Sequence, residues 1–136
     1  MDEMFESGRA VLAGQPFSVL LGAELVVFER GRAELALPLK SEHMNQYGVA
    51  HGGVLSYLAD NALTYAGGSV LGQACVTLEM KINYLKPGRG ERLVARARVA
   101  GSGSTQAVCQ CEVFVIDAAG IETLCAVAQG TIWKIG

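Results

Sequence analysis

The stretch from Asn45 to Gly67 constrains the fold more than any other part of this chain. It begins with a loop and a His-Gly-Gly turn, and it continues into a segment rich in leucine and alanine that carries one carboxylate, Asp60. A charge among apolar residues is costly to bury without a partner. Asp60 therefore either faces water or is kept at this position for its chemistry.

The composition predicts one globular domain covering residues 1–136, because 136 residues suit a single core. Hydrophobic residues make up 51% of the chain and charged residues 18%, and the net charge is −2. A chain without a basic run does not bind nucleic acid through a broad electrostatic patch. A small cluster of Lys or Arg for one anionic ligand remains compatible with these values.

The compartment is expected to be the cytoplasm. The first residues are acidic rather than basic, unlike a secretory signal, and no apolar run reaches the roughly 20 residues that span a bilayer. The four cysteines form no C-x-x-C pair, and neither His43 nor His51 lies at ligand spacing from a cysteine pair. We therefore expect buried, reduced cysteines, with Cys109 and Cys111 on one face of a strand, and no metal or cofactor.

Apolar periodicity and turn residues divide the chain into helices and strands. Gly14 and Pro16 end a short amphipathic helix, and a strand-like run from Val19 follows. The run 32–39 alternates, which predicts one mostly polar face, and Pro38 predicts a strand end or an edge. The predicted helices cover residues 2–13 and about 51–67, and the predicted strands cover about 19–29, 32–39, 74–86, 91–100, 105–117 and 121–134.

This order predicts an α+β fold. Four consecutive strands joined by short turns favour an antiparallel sheet, and the long helix has small residues on most sides, so a strongly curved sheet could wrap it. A single sheet packed on one helix leaves edges exposed. We therefore expect the chain to form homo-oligomers.

The chemistry points to the long helix. Ser56, Asp60 and Thr64 share one stripe, and Asp60 lies about two turns in, too far from the start to be a cap. The cap falls to the Ala50-His51 pair or to Gly52 and Gly53, which leave first-turn N–H groups open to a developing oxyanion. An oxyanion site and a carboxylate together suit hydrolysis of an activated ester.

The motif N-x-x-G-x-x-H-G-G-x-x-x-x-L-x-D, followed by a strand ending in N-Y-L-K-P-G, resembles the hotdog-fold acyl-CoA thioesterases of the PaaI type. The resemblance covers nearly the whole chain. It implies a curved antiparallel sheet around one long central helix. It also implies an acyl-CoA substrate and a homodimer or a dimer of dimers, with the active sites at the dimer interface.

The resemblance assigns roles residue by residue. Asp60 matches the catalytic carboxylate, acting as base or nucleophile, and Gly52 matches the glycine whose N–H polarises the thioester carbonyl. Asn45 matches a loop residue that holds the water or the carbonyl, His51 matches a histidine near the thioester, and Thr77 matches a residue that orients water. Asn45, His51 and Gly52 would come from one subunit, and Asp60 and Thr77 from the other.

One departure concerns the coenzyme A phosphates. Many relatives have Gly-Lys at the turn after the fourth strand, where this chain has Gly103-Ser104. Any phosphate contact must then come from elsewhere, and the basic residues around the P-G-R-G turn are the nearest candidates. The remaining substrate-binding candidates are Gly53, Lys86 and Arg89, with Arg92 nearby.

Two other functions fit the same sequence. A hydratase or dehydratase on this fold would consume an enoyl thioester without releasing thiol, although His51 lies outside the motif of such enzymes. A non-catalytic acyl-CoA binding module would bind without turnover. The sequence leaves the acyl group open, since aromatic and aliphatic chains are equally compatible.

Overall fold

The computed structural model describes residues 2–72 and 74–136. Within these ranges three α-helices pack on one antiparallel sheet of six strands. The order of the strands in the sheet is β1-β2-β4-β5-β6-β3. The helices are α1 (Glu3–Ala13), α2 (Pro16–Leu21) and α3 (Gly52–Leu71), and a 3-10 turn covers Ser41–His43. The strands are β1 (Glu24–Glu29), β2 (Arg32–Pro38), β3 (Cys75–Tyr84), β4 (Arg92–Ser102), β5 (Gln106–Ile116) and β6 (Glu122–Lys134).

The core lies between α3 and the curved sheet, and α3 contacts all six strands. Leu58, Ala59, Ala62, Leu63 and Ala66 of α3 are fully buried. The alanines among them allow the sheet to approach the helix closely, and the inward-facing strand residues fill the remaining space. The α+β architecture predicted from the sequence, a curved antiparallel sheet around one long helix, is confirmed.

The predicted strand from Val19 is wrong at its beginning, because Val19 lies in α2. Pro16 occupies the first turn of this helix, where its missing N–H costs nothing, and Gly22 ends the helix with a φ of +88°. Strand β1 begins only at Glu24. Pro16 therefore starts a second helix as well as separating it from the first.

The predicted end of α3 near Gly67 is also wrong, since the helix continues to Leu71 and stops at Gly72 with a φ of +100°. Gly67 packs against Ile132 of β6, and a Cβ added at Gly67 would lie 2.6 Å from the Ile132 Cβ. This glycine therefore provides close helix–sheet packing and does not end the helix.

The outer face of the sheet is less polar than the alternation in β2 predicts. Ala36 is fully buried and forms a small separate cluster with Val94 and Ile116. The rest of this face carries ion pairs that join Arg32 to Glu34, Glu34 to Arg96, and Arg96 to Glu122. Pro38 ends β2, as predicted.

The cysteines mostly follow the prediction. Cys109, Cys111 and Cys125 are buried, and Cys75 at the sheet edge is partly buried. Burial raises the pKa of Cys109 to about 11 and that of Cys111 to about 12, so both thiols stay protonated at neutral pH. Among the described residues, no helix is long and apolar enough to cross a membrane.

In the described part of the chain, β3 is an edge strand that pairs only with β6, and it contains a β-bulge between Thr77 and Glu79. Before the bulge, Thr77 faces α3; after it, Met80 and Ile82 pack against the core. The extra residue at Leu78 thus lets the two halves of the strand face the same side.

Helix α1 is anchored to α3 and β1 by aromatic residues. The Tyr65 hydroxyl donates a hydrogen bond to the Gly8 carbonyl at 2.8 Å, and the Tyr65 ring meets Phe28 edge-on at 5.1 Å. Burial raises the pKa of Tyr65 to about 12, so the hydroxyl keeps its proton for this bond. The α1–α2 segment therefore has a fixed position beside α3.

Two neighbouring glycines of α3 test the helix–sheet packing. Gly67→Ala is expected to lower the free energy of unfolding by about 1–3 kcal/mol, because its methyl group would overlap Ile132. Gly68→Ala meets nothing within 4 Å and is expected to raise the free energy of unfolding by about 0.5–1 kcal/mol. Urea denaturation of both variants measures the difference. Equal stability of the two variants would show that the Ile132 contact is not tight.

Candidate active site

Asp60 lies on α3 opposite β3, and one of its carboxylate oxygens accepts a hydrogen bond. The Thr77 hydroxyl donates a hydrogen bond to Asp60 Oδ1 at 2.5 Å. Within residues 2–72 and 74–136, Asp60 Oδ2 has no hydrogen-bond partner, and the carboxylate forms no ion pair. The side chain is half-buried, so a fixed carboxylate presents one open oxygen to the space beside it.

Thr64 completes this arrangement one turn further along α3. Its hydroxyl donates to the Asp60 carbonyl at 2.9 Å and lies 3.0 Å from Thr77 Oγ1. In the sequence, Thr64 shares a helical stripe with Ser56 and Asp60, but that pattern indicated no role for Thr64. The structure brings Asp60 and Thr77 together and adds Thr64 to them.

The start of α3 is capped by His51. Its Nδ1 accepts a hydrogen bond from the Gly53 N–H at 2.8 Å, so in the neutral ring the proton is on the exposed Nε2. The Gly53 N–H is therefore occupied. The Gly52 N–H donates no hydrogen bond within the described ranges, which leaves one open donor at the positive end of the helix dipole.

Asn45 shapes the loop that leads into this helix start. Its Oδ1 accepts hydrogen bonds from the backbone N–H groups of Tyr47 at 2.9 Å and Val49 at 3.4 Å. Its Nδ2 has no partner in the part of the chain that the structure describes. The carbonyl of the amide therefore holds the loop, while the NH₂ group stays open.

The connection between β3 and β4 packs against the same helix start. The Ala50 N–H donates to the Gly88 carbonyl at 3.0 Å, and the Tyr84 hydroxyl donates to the Gly52 carbonyl at 3.1 Å. Lys86 and Arg89 in this connection are exposed. Neither forms an ion pair among the described residues. They lie at the Gly52 end of α3, and Tyr84, inside the N-Y-L-K-P-G motif, is a neighbour that sequence reasoning did not single out.

The two groups of candidate residues lie at different places on one helix. Gly52 and Asp60 are eight residues apart, which is about 12 Å along the axis of an α-helix. A thioester carbonyl that touches the Gly52 N–H therefore cannot also meet the Asp60 carboxylate of the same chain. The candidate residues therefore fall into two groups, named here the donor half (Asn45, His51 and Gly52) and the carboxylate half (Asp60 and Thr77).

A cavity of about 420 Å³ opens beside Asp60, between the α1–α2 junction and the exposed side of α3. Gln15, Phe17, Tyr57, Asn61 and Thr64 are among the residues that line it. A larger depression of about 890 Å³, somewhat more enclosed than the first, lies on the outer face of the sheet among charged and amide side chains and includes none of the candidate residues. Of the candidate residues, Asp60 lines the smaller cavity.

Comparisons with known proteins agree with this architecture. The model of the thioesterase superfamily matches residues 47–120, a segment that contains α3, Thr77 and strands β3 to β5 but begins after Asn45. A putative esterase of Archaeoglobus fulgidus is 33% identical over 117 residues, covering 85% of this chain and 73% of the relative. The acyl-coenzyme A thioesterase PaaI of Escherichia coli is 29% identical and covers 80% of this chain and 78% of the relative.

Solved structures give the same result. A thioesterase family protein from Silicibacter pomeroyi superposes with a TM-score of 0.87 at 33% identity, covering 94% of this chain and 96% of the other. The family match spans more than half of this chain, and the structural match spans nearly all of it. The chain belongs to the thioesterase superfamily, as a PaaI-type hotdog thioesterase.

Proposed function

We propose that this protein hydrolyses acyl-CoA thioesters at a site assembled from two copies of the chain, 1–136 forming one hotdog domain. The observation that carries the proposal is the open Gly52 N–H and the Thr77-held Asp60 carboxylate, about 12 Å apart on one helix. The names of relatives such as the acyl-coenzyme A thioesterase PaaI of Escherichia coli support thioester hydrolysis. Each site would take its donor half from one copy and its carboxylate half from the other.

The carboxylate half supplies the attack on the acyl carbon. Asp60 acts either as a general base, taking a proton from a water molecule, or as a nucleophile that forms an anhydride which water then opens. Thr77 keeps Oδ1 in place, so the open Oδ2 faces the reacting atom. In both routes the carbon–sulfur bond breaks, and the products are a free acid and coenzyme A.

The donor half stabilises the charge that develops on the carbonyl oxygen. The Gly52 N–H lies at the first turn of a 20-residue helix, where N–H groups and the helix dipole favour negative charge. The Asn45 NH₂ group and the His51 Nε2–H are further donors in the donor half. Lys86 and Arg89 would meet the phosphates of coenzyme A.

The edge strand β3 offers the surface on which two copies would pair. Among the described residues no strand pairs with the other side of 76–84, and Val76 and Leu78 are 45% and 62% exposed. Long apolar edges are seldom left open in soluble proteins. Antiparallel pairing of two β3 strands about a two-fold axis would give a homodimer, and two such dimers would give a tetramer.

Asp60→Asn is the first test. It keeps the shape of the side chain and removes its charge, so the release of free thiol from acyl-CoA esters should fall about 10²–10⁴-fold. Asp117→Asn is the matched control, because Asp117 holds the β5–β6 turn through Oδ1, which asparagine retains. A thiol-release rate of Asp60→Asn equal to that of the control would contradict the proposed role.

Gly52→Pro tests the backbone donor. Proline removes the N–H, is well tolerated at the first helical position, and follows a residue, His51, whose φ of −59° and ψ of 138° suit a residue before proline. The rate is expected to fall about 10²–10³-fold with the melting temperature little changed.

Gly52→Ala is the control for that variant. It keeps the N–H, and its Cβ would make an ordinary contact of 3.5 Å with the Tyr84 ring. This variant should therefore keep most of the activity. Equal losses in the proline and alanine variants would assign the effect to crowding rather than to the missing donor.

Mixing the two inactive variants tests the shared site. Asp60→Asn and Gly52→Pro are unfolded together and refolded as a mixture. A heterodimer then contains one site with an intact Asp60 and an intact Gly52, so random pairing restores about a quarter of the wild-type activity. If both residues acted within one chain, no heterodimer would contain an intact site and the mixture would stay inactive.

A further inference from the structure

His43 is a buried histidine that belongs neither to the donor half nor to the carboxylate half. It is 3% exposed, and it is one of two buried polar or charged residues in the part of the chain that the structure describes. Polar side chains are seldom buried without a hydrogen-bond partner, so the partner of such a residue indicates what the residue does. The family resemblance assigns no role to His43.

The His43 ring closes the 3-10 turn in which it lies. Its Nδ1 accepts a hydrogen bond from the Lys40 N–H at 3.0 Å, and the His43 N–H donates to the Lys40 carbonyl at 3.0 Å. Because Nδ1 is an acceptor, the neutral ring carries its proton on Nε2. Nε2 forms no hydrogen bond with the described residues, and among them no fully buried side-chain nitrogen lacks a partner, so Nε2 reaches the surface.

The closed turn directs the His43 carbonyl toward the start of α3. This carbonyl accepts a hydrogen bond from the His51 N–H at 2.8 Å. Beside this bond, Met44 and Ala50 form an antiparallel β-bridge. Residues 43–51 therefore form a small antiparallel loop, and the hydrogen bond between His43 and His51 is its base.

The base of this loop lies between the two parts of the donor half. Asn45 follows His43 by two residues, and its N–H donates to the Val49 carbonyl at 2.8 Å inside the loop. His51 caps α3, and the open Gly52 N–H comes next in the chain. A change at the base would therefore move the Asn45 amide relative to the Gly52 N–H. Catalytic groups lose much of their effect when they are displaced by about 1 Å.

We propose that His43 is a positioning residue for thioester hydrolysis and acts through the acceptor at Nδ1. In this role it touches no reacting atom: it holds the Lys40 N–H, and the closed turn holds the carbonyl that fixes His51. The proposal rests on the proposed function, since it is the donor half that meets the thioester. Proton transfer through the ring would need Nε2 instead, so substitution can separate the two roles.

Asparagine and glutamine distinguish the two ring nitrogens. In His43→Asn the amide oxygen takes the place of Nδ1 and accepts from the Lys40 N–H, whereas in His43→Gln it lies one bond further out, near the place of Nε2. The kcat for acyl-CoA esters should stay within about 3-fold of wild type in His43→Asn and fall about 10- to 100-fold in His43→Gln. KM should change less than about 3-fold in both, because the donor half acts on charge that develops in the transition state.

Ser69→Ala is the matched control for lost stability. Ser69 Oγ accepts a hydrogen bond from the Gly31 N–H at 2.7 Å, so this variant also removes a side-chain acceptor from a backbone N–H, at the turn between β1 and β2. It should lower the melting temperature by a few degrees, as His43→Gln does, and leave kcat unchanged.

Three kinetic results would overturn the proposal. They are an equal fall of kcat in the two His43 variants, a fall in neither, and a fall in His43→Asn alone, which would assign the role to Nε2. A loss of kcat in Ser69→Ala equal to that in His43→Gln would also overturn it, because lost stability would then explain both. If His43→Gln does not fold, His43→Leu takes its place, since leucine removes both nitrogens.

Amide hydrogen exchange followed by NMR gives a readout that does not depend on turnover. Exchange of the His51 N–H should become about 10-fold faster or more in His43→Gln and stay close to wild type in His43→Asn. If the wild-type protein releases no thiol from any ester but this difference is present, the proposed function fails and the hold of His43 on the helix start is supported. An unchanged exchange rate of the His51 N–H in His43→Gln would overturn the positioning role whatever the rates of hydrolysis.

Discussion

The burial of α3 by a single curved sheet is the constraint on which the rest of this structure depends. A helix that contacts six strands has few directions left for polar groups. It can present its first turn, where the backbone N–H groups are open, and it can present the one side that the sheet does not cover. The Gly52 N–H lies at the first turn, and Asp60 lies on the side that the sheet does not cover. The separation of the donor half from the carboxylate half follows directly from this packing.

Local chemistry made part of this site predictable from the sequence. The His51-Gly52-Gly53 turn marks a helix start, and the spacing to Asp60 gives the distance along the axis without any knowledge of the tertiary structure. The family resemblance assigned Thr77 to the same site, and in the structure its hydroxyl donates a hydrogen bond to Asp60. The succession of strands β3 to β6 along the chain was readable because turn residues separate long apolar runs, whereas their order in the sheet, with β3 beside β6, was not predicted.

The errors and omissions come from contacts between residues far apart in the chain. Gly67 looks like a helix end in sequence, yet its role depends on Ile132, 65 residues later in the numbering. Tyr84 approaches Gly52 only because β3 lies beside α3. Hydrogen bonds join Gln15 and Ser18 of the α1–α2 region to Tyr57 and Asn61 of α3, and neither segment alone indicates them. Local pattern cannot contain such information, because the distance in space is set by the packed fold.

The bulge in β3 lets two parts of one strand point residues of opposite alternation toward the same side of the sheet. In a regular strand that turned Thr77 toward the helix, Glu79, Lys81 and Asn83 would follow it inward and place charge in the core. The added residue reverses the alternation at Leu78, so that Met80 and Ile82 pack inward instead. Thr77 can therefore serve Asp60 while the remainder of the strand closes the core. A chain shortened by that one residue would have to give up either the hydroxyl beside the carboxylate or the apolar wall below it.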